Sequence, residues 1–185
     1  MITQKSLSEK PERDFFWKLF SSFHFKLIYQ PHLKNPLNSW LFFLLNAPRT
    51  MNYWLVKSDP ETYGWQELSR DKKTEWSGVR SYAARNHLRT MKKNDLVLFY
   101  HSGKVSAVVG IVKVTKEAFQ DPTTDDQAWV AVQITAVKAL QEPVTLSMIK
   151  SRKELNKMNL LKISRLSVQP VTEQEFYTVM EIGKL

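Results

Sequence analysis

Apolar and polar positions alternate most regularly late in the chain, where Val130, Val132 and Ile134 are interleaved with Ala131, Gln133 and Thr135. A period of two puts one set against a core and the other in water, as in a half-buried strand. Related β-like runs occur over 53–56, 95–101, 105–114 and 129–137, separated by turn signals. Helical spacing is rarer. Ala84, Leu88 and Met91 share a face over 81–91, and the Lys- and Leu-rich stretch 146–158 is similarly amphipathic. Thr172 and Glu175 form a capping box, with Val171 and Phe176 spaced as its hydrophobic staple, so a last helix should begin there. Together these elements predict an α+β domain, a small curved barrel, antiparallel or mixed, decorated by short helices.

The first fifty residues have a different texture. Phe15, Phe16, Trp17, Phe20, Phe23 and Phe25 cluster ahead of Pro31 and Pro36, and a short apolar run follows from Trp40 to Leu45. That run is too short for a membrane span, which takes about 20 residues, and it has neither the position nor the cleavage site of a secretory signal. Two parts are expected: an extension over 1–50, poorly ordered or lying upstream of a native start at Met51, and a working domain over 51–185.

Of the 185 residues, 27 are basic and 18 acidic, a net charge of +9 that favours partners bearing phosphate. The absence of cysteine removes disulfides, thiolate metal sites and a cysteine nucleophile, so a reducing compartment is expected: the cytoplasm in a bacterium, with the nucleus open in a eukaryote. His24, His32, His87 and His101 share no ligand spacing, and HExxH, GxGxxG and Walker A patterns are missing. No metal or cofactor is expected, and a monomer is favoured.

Three stretches combine aromatic, cationic and small polar residues: WLVKSDP from Trp54, WSGVRSYAARNHLR from Trp76 and RLSVQPV from Arg165; FYHS from Phe99 is a fourth. Base recognition uses flat aromatic or guanidinium faces for stacking and short polar groups for the base edge. Trp54, Trp76, Tyr82 and Tyr100 suit stacking, while Ser58, Asn86, Ser102 and Ser167 suit edge contacts. Lys57, Arg80, Arg85 and Arg165 suit phosphate. On this reading Trp76→Ala removes a base stack.

The motifs YWLVKSDP, WSGVRSYAARNHLRTMKKNDLVLFYHS, VVGIVKV, DPT and RLSVQPVT, in that order, resemble those of the EVE domain family across essentially all of 51–185. The resemblance implies a PUA-like fold, related to YTH and ASCH domains, and a non-catalytic module that reads a modified base in DNA or RNA through an aromatic-walled pocket with basic surroundings. The implied nucleobase site comprises Trp54, Lys57, Ser58, Trp76, Val79, Arg80, Tyr82, Asn86 and Ser167, with Tyr100 and His101 as further members; Arg85 and Arg165 would meet phosphate. Where the family commonly has WDGVRNYQARN, Ser77, Ser81 and Ala84 replace longer polar groups and put base preference in question. Two other readings stay open: a small ASCH-like hydrolase acting on a modified nucleoside, for which Lys57 invites comparison, and a protein–protein adaptor.

Overall fold

Strands β1 (Tyr53–Ser58), β2 (Lys73–Trp76), β3 (Leu96–His101), β4 (Ala107–Gln120), β5 (Val130–Thr145) and β6 (Val168–Val171) build one mixed sheet in the order β2-β5-β4-β3-β1-β6. The computed structural model describes residues 51–185, so the expectations for 1–50 lie outside the described residues. β1 and β3 run parallel; every other neighbouring pair is antiparallel. Register shifts along β4 mark bulges, which bend and twist a strand and here help to curve the sheet. β2 and β6 are its two edges, so the small curved barrel expected from the sequence is a curved mixed sheet that does not close.

Pro170 lies in β6, which pairs only with β1, and an edge strand tolerates the missing N–H. Neither that strand nor β2 is among the β-like runs expected from the sequence. The β4–β5 hairpin is longer than its sequence signals indicated, because the register shifts keep the two chains paired past breaks in the alternation.

Helices α1 (Pro60–Tyr63), α2 (Trp65–Asp71) and α3 (Tyr82–Thr90) follow in chain order, then α4 (Leu146–Ser151), a 3-10 turn (Lys153–Leu155), α5 (Asn159–Lys162) and α6 (Glu173–Ile182). Ser81 caps α3, and Ala84, Leu88 and Met91 are fully buried as their spacing predicts. Thr172 and Glu175 close the expected capping box reciprocally. The single helix expected over 146–158 is broken: the chain turns extended at Arg152. Ile149, Leu155, Met158 and Leu160 are all buried, and their spacing of six, three and two does not fit one straight helical face.

One core joins Trp54, Val56, Trp76 and Phe99 of the sheet to Leu68 of α2, Ala84 and Leu88 of α3, and Leu166. The opposite side of β1 faces α6, where the Tyr53 ring meets Phe176 at 4.7 Å. The pleat therefore decides which residues of a motif can meet.

Candidate functional site

The structure divides the sequence-predicted residues among three places. Trp54, Ser58, Trp76, Val79 and His101 lie with the α2–α3 core. Trp54 is 6% exposed, and its indole N–H donates to Asp95 at 2.9 Å. Trp76 is 9% exposed and meets Phe99 edge to face at 5.7 Å. Both rings, expected from the sequence to stack on a base, are here used in packing. Ser58 is buried, and its hydroxyl donates to the Tyr63 carbonyl.

His101 Nε2 accepts the backbone N–H of Trp65 at 3.0 Å, which requires that nitrogen to be unprotonated. Burial lowers the His101 pKa, with Glu67 opposing, and so favours this neutral form. Trp65 in turn packs against β4 at Gly110, where an added Cβ would fall 2.4 Å from the indole. His101 thus positions the start of α2.

Lys57 and Tyr100 occupy the opposite side of the sheet. The Lys57 ammonium stands 5.9 Å from the Tyr100 ring centre and donates to the Ser164 carbonyl at 2.6 Å. Burial lowers its pKa. The Lys57 backbone N–H donates to the carbonyl of Ser167, so Ser167 ties β6 to the sheet. These bonds occupy the amine, hydroxyl and imidazole that nucleophilic chemistry would have to free.

The third place is an exposed surface formed by the start of α3 and the β4–β5 loop. Tyr82 is 67% exposed and leans over Trp129, with ring centres 5.2 Å apart and planes 35° from parallel. The Arg85 guanidinium stacks 4.8 Å from the Tyr82 centre and 5.6 Å from that of Trp129. Arg80 approaches Trp129 at 5.5 Å. Arg85 and Arg89 both donate to the Ala128 carbonyl, and Asn86 accepts from Arg85 through Oδ1. Carbonyl partners leave the charge on Arg85 and Arg89 uncancelled, so this surface offers aromatic faces, an amide and positive charge together.

Buried Asp121 holds the surface together. Its carboxylate accepts from Arg80 Nη1 at 2.7 Å, from the Gly78 N–H at 2.9 Å, and from both the N–H and the hydroxyl of Thr123. Burial by itself raises a carboxyl pKa; here Arg80, then Thr123 and Gly78, outweigh it and hold Asp121 at about 2. Its contribution to stability is therefore complete above the unfolded-state value near 4 and lost as pH falls from about 4 to about 2. With a discount for half-exposed Arg80, the expected loss is about 1 to 2 kcal/mol. Urea unfolding of wild type and Asp121→Asn between pH 2 and 5 should show the two stabilities converging at the acid end.

Of the residues that differ from the common family motif, Ala84 is fully buried and Ser81 is the N-cap of α3. Those two substitutions act on the helix start and the core. Arg165 is exposed, on the loop before β6. Sequence reasoning missed Trp129, taken there as a strand boundary, and Asp121, whose DPT motif it noted without assigning a role. It also passed over Trp65. A shallow concavity lined by Met51, Asn52, Tyr53, Trp54, Pro170, Val171 and Glu173 includes only Trp54 of the predicted set. Among the described residues, no His, Cys, Asp or Glu side chains gather in threes as a metal site requires, and no helix is long and apolar enough to cross a membrane.

Residues 52–182 match the model of the EVE domain family. A crystal structure of an Agrobacterium tumefaciens protein is 44% identical, with a TM-score of 0.71, and the match covers 72% of this chain and 94% of that one. Human THYN1, solved in complex with DNA containing 5-methylcytosine, is 30% identical with a TM-score of 0.66, over 72% of this chain and 98% of that one. The YTH domain of a Zygosaccharomyces rouxii protein, 13% identical with a TM-score of 0.51 over 75% and 90% of the two chains, shares the fold.

Proposed function

This chain belongs to the EVE domain family, and on that basis we propose that it is a non-catalytic module that binds nucleic acid and reads a modified base. The observation that carries the reading is the exposed Tyr82–Trp129 pair, covered by Arg85 and flanked by Arg80, Arg89 and Asn86. Human THYN1 in complex with 5-methylcytosine DNA supports it from a relative of the same fold. The base stacks where the Trp76–Arg80 segment meets the Tyr82–Trp129 pair, Asn86 addresses its edge, and Arg85 with Arg89 meets the neighbouring phosphates. Trp54, Trp76, Val79, Ser58 and His101 form the frame behind this surface, and no covalent step follows.

Tyr82→Ala is expected to weaken binding by about 1 to 3 kcal/mol, the scale of one lost base stack. Its melting curve should stay close to wild type because the ring is largely in water. Fluorescence anisotropy with oligonucleotides carrying one 5-methylcytosine, another methylated base or no modification tests both points. Equal affinity for all of them would overturn base reading, and unchanged affinity of Tyr82→Ala would remove the stacking role.

A further inference from the structure

Residues 150–165 carry six cations, Lys150, Arg152, Lys153, Lys157, Lys162 and Arg165, against one acid, Glu154. All six are exposed, and among the described residues the ion pairs involve other side chains. The segment is nevertheless firmly seated. Ile149, Leu155, Met158 and Leu160 are buried beneath it, while Gln169 Nε2 donates to the Leu166 carbonyl at 2.7 Å and Lys57 grips the Ser164 carbonyl. Like charges held together on a fixed backbone repel one another, and that repulsion is relieved by a polyanion spanning them. A flexible basic tail could spread its charges apart; this segment is packed in place.

The strip is joined through the chain to the core behind the proposed base-reading surface. Its far end continues into Leu166, which shares a core with Val79 and Trp76 and with Ala84 of α3, the helix that carries Tyr82, Arg85 and Arg89. We infer that residues 150–165 bind the sugar-phosphate backbone of the same nucleic-acid strand beyond the base being read. This inference depends on the nucleic-acid reading above. The strip supplies affinity without sequence or modification preference, because ammonium and guanidinium groups meet phosphate regardless of the base attached. The base surface then supplies the discrimination.

The test compares wild type with a variant combining Lys150→Gln, Arg152→Gln, Lys153→Gln and Lys157→Gln. A control combines Lys72→Gln, Lys73→Gln, Lys104→Gln and Lys113→Gln, so that both have the same net charge. Oligonucleotides of six and twenty nucleotides, with and without one 5-methylcytosine, are titrated at several salt concentrations, and phosphatidylserine vesicles are titrated in parallel. Circular dichroism verifies folding.

For the twenty-nucleotide probes, the strip variant should lower the salt slope by about 3, since each lost phosphate contact removes about 0.7 to 0.9. Affinity should fall about tenfold or more at moderate salt. The six-nucleotide probes should change much less, the methylated-to-plain ratio should persist, and the control should keep most of the slope. An unchanged slope, an equal fall in the control, or vesicle binding stronger than oligonucleotide binding and lost in the strip variant would overturn the strip. If wild type binds methylated and plain probes equally while the strip variant still flattens the slope, base reading fails and the strip stands.

Discussion

Trp76→Ala should lower folding stability by about 3 to 5 kcal/mol, the usual cost of deleting a large aromatic side chain from a packed core. The residue is 9% exposed, and its ring meets Phe99 in a core that also holds Leu68, Val79, Val132 and Leu166. Alanine would leave a void bounded by β2, β5 and the segment leading into α3, and rigid neighbours can only partly fill it. A domain of this size has a total stability on the order of 5 to 15 kcal/mol, so a large part of the folded population's margin is at stake. Urea unfolding should show a much lower midpoint. A binding assay on this variant would therefore mix lost fold with lost contact, and Tyr82→Ala is the cleaner probe of stacking. A variant that unfolds like wild type would show that Trp76 is not a structural element of the core.

Asp95→Ala should lower stability by about 2 to 4 kcal/mol, because it strands donors that the fold has removed from water. Asp95 is 2% exposed. Its carboxylate accepts the Trp54 indole N–H and the Lys92 backbone N–H, both at 2.9 Å, and also bonds the backbone and side chain of Asn52. One carboxylate thus ties the start of β1 to the turn between α3 and β3. Asp95→Asn should cost less, since one acceptor oxygen remains, but the amide cannot serve both sides of the network. Thermal melts of the two variants should rank wild type, Asn, Ala. Equal loss in both would show that charge, and not the number of acceptors, carries the effect.

Trp76 and Asp95 also show how far the sequence could be read. The Trp76 motif marked the family, yet a Trp beside Gly and Arg looks the same whether its ring packs inward or faces water. Asp95 looked like the polar start of a strand. Its structural importance arises from Trp54, 41 positions away, whose N–H must be satisfied once the indole is buried. Trp129 was hidden for the converse reason. It stands at a strand start, where apolar residues usually face a core, but here it supports an exposed tyrosine from another element.

By itself the sequence determined the EVE family, the alternating strands, the α3 face and the Thr172–Glu175 cap. Each depends on residues near one another in the chain, where periodicity and capping chemistry act directly. Only the tertiary structure decided that Lys57 and Tyr100 lie across the sheet from Trp54 and Ser58, that Trp54 and Trp76 belong to the core, and that 146–158 breaks into a short helix and a 3-10 turn. Those outcomes follow from the pleat and from long-range packing, which assign each side chain a face and a partner that no local pattern specifies. The aromatic and basic residues expected to form one pocket were thereby divided among the core, the opposite side of the sheet and an exposed surface at the start of α3.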